Sequence, residues 1–219
     1  MKQVQQPQME MLREEWKLTL QGESVLIGRL SYPRFTGDGR GVRAINRYYR
    51  RVAETWKRRW NRELYCRACL DLADRGAAGK RFQPWQAELT TCVTLTSGDR
   101  FSLWQETKEQ QGNQPPFVVR RGDSWNVRTG APITLASALC GGKRWRRKLL
   151  EQLVQQVERR LNQGESLLFQ ACPQLVKAEF DPANFWLEED GLRIFYPPEV
   201  LGSRVEGTVV FAVSVPGQE

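Results

Sequence analysis

Residues 185–216 read FWLEEDGLRIFYPPEVLGSRVEGTVVFAVSVP. Phe185 to Glu188 has the apolar and aromatic content of a strand, and Asp190-Gly191 is a hairpin turn signal. Leu192 to Tyr196 supplies the returning strand. Pro197-Pro198 cannot donate to a ladder, so the chain must leave the sheet there. Val209, Phe211, Val213 and Val215 then alternate, as in a strand with one face buried. The segment therefore reads as antiparallel β structure.

Upstream, WKLTL and SVLIGRLSYPRF read as two strands around a Gln21-Gly22 turn. Ile45, Tyr49, Val52, Trp56 and Trp60 recur at helical spacing and predict a helix over about 42–73. The aromatic members of that stripe are expected in the core rather than as a base-stacking platform. Leu89, Thr91, Val93 and Leu95 share one face of a strand whose other face is rich in hydroxyls, and SGDR turns it into FSLWQETKEQ. Leu149, Leu150, Leu153, Val157 and Leu161 predict a second helix over about 143–162, stopped by Gly164. The expected class is α+β, an antiparallel β-meander sheet packed with these two main helices. Residues 1–14 are expected as a polar tail, and 15–219 as a single domain.

The chain has 219 residues, enough to bury a sizeable core. It carries 33 Lys plus Arg against 25 Asp plus Glu, a net charge of +8, and 25 of the cations are arginine. Arginine forks suit carboxylate and phosphate, which allows an anionic partner, while the plainer expectation is a solvated surface. There is no histidine, which removes Ser-His-Asp and Cys-His catalysis and every His-containing zinc site. Cys66-Arg67-Ala68-Cys69 is half a zinc site with no second pair to complete it. The other cysteines are Cys92, Cys140 and Cys172, and all five are expected as free thiols, as in a reducing compartment. The acidic run Glu188-Glu189-Asp190 reads as a hairpin turn and Cys92 as a strand residue, so neither is assigned a catalytic role. The expectation is no catalytic residue, no metal and no cofactor.

No window approaches 18 consecutive apolar residues, so no membrane span is expected, and residues 1–17 lack the apolar core of a signal peptide. Taken alone, these features point to the cytoplasm.

The candidate partner site is basic. Arg50, Arg51, Arg58 and Arg59 fall outside the apolar stripe of the first helix. Arg144, Arg146 and Arg147 lie in the run Lys143 to Lys148, where five of six residues are basic. At a helix start such a run opposes the macrodipole, a cost that a bound anion would offset.

Three stretches, in this order, resemble the extracytoplasmic domain of RsiV-type anti-sigma factors. That domain of unknown function also recurs in polysaccharide-deacetylase-related bacterial proteins. The stretches are LSYPRFTGDGRGVRAINRYY, SWNVRTGAPITLASAL and the closing segment from Phe185 to Pro216. The resemblance runs from about residue 15 to the end. It implies an α+β domain from a bacterial, ligand-responsive protein, used for binding and sensing beside the membrane. It also implies an extracytoplasmic location if this chain is cut from a longer one. Lysozyme sensing is not carried over, because a domain at net +8 repels that basic protein. The expected function is non-enzymatic binding of an anionic or neutral protein or cell-wall polymer. The alternatives are nucleic-acid binding, or service as an accessory domain of a cell-wall polysaccharide enzyme.

Overall fold

Gln21 and Gly22 both have positive φ, 50° and 88°. This is the geometry whose twist matches a two-residue β-hairpin. They join β1 (Met9–Leu20) to β2 (Glu23–Phe35), paired antiparallel from Met9↔Phe35 to Leu20↔Glu23. The computed structural model describes residues 8–140, 142–164 and 167–214. Expectations for residues 1–7 and for Val215 lie outside the described residues. β1 starts well before Trp16, inside the stretch expected as polar tail. Main-chain pairing is indifferent to side-chain polarity, and β2 is long enough to offer partners that far back.

From β2 the chain runs into α1 (Arg40–Arg59), one π-helical turn (Trp60–Leu64) and α2 (Tyr65–Ala77). β3 (Trp85–Ser97) then returns parallel to β2, from Leu26↔Trp85 to Leu30↔Leu89. The sheet is therefore not an antiparallel meander throughout. A helical connection of this length brings the chain back to the starting end of β2, where only a parallel neighbour fits. β4 (Arg100–Gln110), β5 (Phe117–Asn126) and β6 (Ala131–Pro132) complete a six-stranded sheet in the order β1-β2-β3-β4-β5-β6. α3 (Leu135–Ala138), α4 (Trp145–Gln163) and α5 (Cys172–Ala178) follow. β7 (Phe185–Glu188), β8 (Gly191–Tyr196) and β9 (Val209–Val213) form a second, three-stranded sheet in that order. The class is α+β, with two sheets where one was expected.

Two compact units divide the chain. The first comprises Met1–Cys92, Gln105–Val119 and Val127–Gly130, and the second Val93–Trp104, Arg120–Asn126 and Ala131–Glu219. β3, β4 and β5 thus each contribute residues to both. In the first unit Leu26, Leu30, Trp60, Leu64, Trp85 and Leu89 form the buried core. Ile45, Tyr49 and Trp60 are fully buried as expected, whereas Val52 and Trp56 are half-buried and Ala53 takes the inner position. Trp16 lies over Gly28, its partner across the hairpin. A Cβ at Gly28 would come 2.4 Å from the indole ring.

In the second unit α4 buries Leu149, Leu153 and Val157 against a core that includes Leu192, Ile194, Tyr196 and Phe211. The Tyr196 hydroxyl donates to the Val176 carbonyl at 2.8 Å, and burial pushes its pKa well above the usual phenol value. The β7–β8 turn is Glu189-Asp190, one residue earlier than expected. Gly191 instead opens β8 with φ 143°, and a Cβ there would lie 2.4 Å from the Val213 carbonyl oxygen.

β9 is an edge strand, and α4 covers it. Gln156 Nε2 donates to the Ala212 carbonyl at 2.8 Å and Arg160 Nη2 to the Val210 carbonyl at 2.7 Å. One helix turn separates the two donors, which matches alternate carbonyls on a strand. Gln156→Ala/Arg160→Ala is expected to cost about 1–2 kcal/mol from two lost bonds. It should also leave an edge open to pairing. Urea titration with size-exclusion chromatography checks both, and an unchanged midpoint with a single unshifted peak contradicts them.

Candidate functional site

The seven arginines singled out from the sequence divide between the units: Arg50, Arg51, Arg58 and Arg59 lie on α1 in the first, and Arg144, Arg146 and Arg147 at the start of α4 in the second. Arg59 serves the fold. It pairs with Glu63 at 2.7 Å and, through Nε, with Glu109 Oε1 at 3.2 Å. Glu109 is only 3% exposed and also accepts from Trp60 Nε1 at 3.0 Å. The hydrogen bond to Glu109 raises the Arg59 pKa further, so this guanidinium stays charged and committed.

Arg50 pairs with Glu54 at 3.7 Å and Arg147 with Glu151 at 3.2 Å, both on the solvent side. Arg146 places its guanidinium 5.3 Å from the centre of the Phe180 ring. Arg51, Arg58 and Arg144 are exposed, with no acidic partner among the described residues.

Part of the basic run at the start of α4, without Arg146 and Arg147, lines a cleft of about 690 Å³ in the second unit. Lys143, Arg144 and Lys148 supply its charge, and Trp145, Leu149 and Val213 its apolar lining. Lys143 and Lys148 line the cleft, although only arginines were singled out. Neither they nor Arg144 has an acidic partner among the described residues. The first turn of α4 holds no acidic residue, and no side chain caps it. Three cations and an apolar wall therefore meet at one place. Such a cleft can hold an anionic group attached to an apolar or sugar-like body.

The acidic run supplies no comparable site. Glu188 and Asp190 both pair with Arg193, at 2.7 and 2.9 Å. The hydrogen bond from Arg193 lowers the pKa of Asp190 below the ordinary carboxylate range. These acids lock the hairpin. All five cysteines are free thiols: Cys66 and Cys140 are exposed, Cys69 and Cys92 half-buried and Cys172 buried. Among the described residues no three His, Cys, Asp or Glu side chains are grouped to hold a metal ion. Nor is any helix among them long and apolar enough to cross a membrane.

No protein-family model matches the sequence, and no curated protein does. The fold has solved counterparts. A member of the DUF3298 family from Bacteroides fragilis NCTC 9343 superposes with a TM-score of 0.69 at 12% identity, over 95% of this chain and 90% of that one. A DUF3298 family protein from Pseudomonas aeruginosa PAO1 gives a TM-score of 0.58 at 13% identity, over 96% and 91%. At such identities the likeness is one of fold, and over nearly its whole length this chain has the fold of DUF3298 proteins, a domain of unknown function.

Proposed function

We propose that this chain is a non-catalytic binding domain, used for sensing as in RsiV-type anti-sigma factors, and that its partner is an acidic protein or an anionic cell-wall polymer. The observation that carries the reading is the cleft at the start of α4, where Lys143, Arg144 and Lys148 stand unpaired beside Trp145 and Val213. Each cation at a helix amino terminus costs about 0.3–1 kcal/mol, and an incoming anion reverses the sign. The net charge of +8 attracts the same class of partner from a distance. The DUF3298-like fold supports the reading as a framework and names no ligand.

The test is retention of the full chain on immobilised polyglutamate at moderate salt. The triple variant Lys143→Glu/Arg144→Glu/Lys148→Glu should lose about a hundredfold or more in affinity, since each reversed charge replaces an attraction with a repulsion. Equal retention of variant and parent would overturn the assignment, as would a parent that never binds. Stronger retention on duplex DNA, with a steep salt slope, would favour the nucleic-acid reading instead.

A further inference from the structure

We infer a second binding site, in the first unit, for a small multivalent oxyanion: a polycarboxylate or a phosphate ester. It is a cleft of about 500 Å³ lined by residues of α1, β1 and β2. Arg43, Arg47 and Arg50 are spaced i, i+4, i+7 on α1 and so fall on one side of the helix. Arg34 joins them from β2, and Leu12 and Tyr32 add apolar surface. The four guanidiniums come without a lysine, so the site offers planar forks rather than point charges.

The charges at this cleft are poorly neutralised. Arg43 and Arg47 have no acidic partner among the described residues. Arg34 and Arg50 reach Glu10 and Glu54 at 3.8 and 3.7 Å, with all four side chains more than half exposed. Exposed pairs at such distances contribute little, and a multivalent ligand can displace them. The first turn of α1 contains no acidic residue, so Arg40 and Arg43 also oppose the helix dipole there. An anion in the cleft relieves both costs.

The wall that carries these arginines is tied to β2. Asn46 sits between Arg43 and Arg47. Its Nδ2 donates to the Phe35 carbonyl and its Oδ1 accepts from the Phe35 N–H, both at 2.8 Å. This pair of hydrogen bonds to β2 pins α1 in place and uses up the Asn46 amide, leaving recognition to the arginines. A preformed cleft avoids the ordering cost that a loop site meets on binding. Its volume lies within the roughly 300–1,000 Å³ of small-molecule sites. Along the helix axis Arg43 and Arg47 are separated by about 6 Å, and Arg47 and Arg50 by about 4.5 Å. A ligand carrying two or three oxyanions on a compact body meets that spacing, whereas a single carboxylate engages one fork only.

This inference does not rest on the α4 cleft, which uses other residues in the other unit. The test is calorimetric titration of the full chain with citrate and, separately, with inorganic pyrophosphate at matched ionic strength. At least one probe should bind with one-to-one stoichiometry. Arg43→Gln/Arg47→Gln should weaken that probe by about tenfold or more per fork removed. Arg43→Lys/Arg47→Lys should weaken it as well, because the charge stays and the fork is lost. Lys143→Glu/Arg144→Glu/Lys148→Glu should leave it unchanged. Binding of pyrophosphate alone assigns phosphate esters, and binding of citrate alone assigns polycarboxylates. The site is rejected if neither probe binds, if the glutamine variant binds like the parent, or if only the α4 variant loses binding. In that last case the proposed function would stand without it. A glutamine variant that loses binding must keep the parent's melting temperature, and a shifted one counts against the site.

Discussion

Trp60→Ala is expected to lower stability by about 3–5 kcal/mol, the cost of removing a large ring from a closed core. Trp60 is fully buried at the start of the π-helical turn. Its ring centre is 6.0 Å from Trp16 and 5.9 Å from Trp56, so the truncation empties the middle of an aromatic cluster. It also removes one of the donors to Glu109, whose carboxylate lies in the same buried region. Trp60→Phe separates the two effects. It keeps most of the ring and loses the N–H, at about 1–3 kcal/mol for a buried acceptor left short of a partner. Urea unfolding followed by far-ultraviolet circular dichroism measures both. A loss below about 1 kcal/mol for the alanine variant would mean that the aromatic stripe of α1 is surface rather than core.

Gly122→Ala should be nearly as damaging, for a different reason. A Cβ at Gly122 would lie 1.8 Å from the Phe185 carbonyl oxygen, an impossible contact with main chain rather than with a side chain that could swing away. β7 is held on that surface by two hydroxyls: the Leu187 N–H donates to Ser102 Oγ at 2.8 Å, and Thr94 Oγ1 donates to the Leu187 carbonyl at 2.6 Å. Displacing β7 breaks these bonds together, so the cost should reach about 3 kcal/mol, the upper end for an overpacked core. Ser102→Ala alone should cost about 1–3 kcal/mol by leaving a buried N–H unpaired. If Ser102→Ala proved the worse of the two, close approach of β7 at Gly122 would not be what matters.

We propose that residues 15–219 unfold as one cooperative domain, because β3, β4 and β5 each carry residues of both units. Trp60→Ala and Gly122→Ala should then lower a single transition. Two transitions, each sensitive to one substitution, would divide the chain instead.

Much of the fold is legible in short stretches. The Gln21-Gly22 turn, the Leu149-Leu153-Val157 stripe, the stop at Gly164 and the alternation of Val209, Phe211 and Val213 depend on neighbours a few residues away. At that range backbone sterics and hydrophobic period act alone. The α1 stripe was readable too, but its partition between Ala53 and Val52 was not, since that depends on what packs against the helix. The parallel pairing of β2 with β3 joins residues some sixty positions apart, and no local pattern encodes the return path. Thr94 and Ser102 read as ordinary strand hydroxyls until β7 is laid across them.

The sites divide in the same way. A cationic run at Lys143 to Lys148 and arginines outside the α1 stripe are properties of composition and helical spacing. Which of them are left without an acidic partner was decided by tertiary structure. Arg59 is taken by Glu109, fifty residues away, whereas Arg43, Arg47 and Arg50 acquire a cleft because β2 brings Arg34 and Tyr32 beside them. Sequence sets the charge and the side of the helix on which it lies, through a period only a few residues long. Whether that charge is neutralised or presented depends on contacts between segments far apart in the chain, and these exist only once the core has closed.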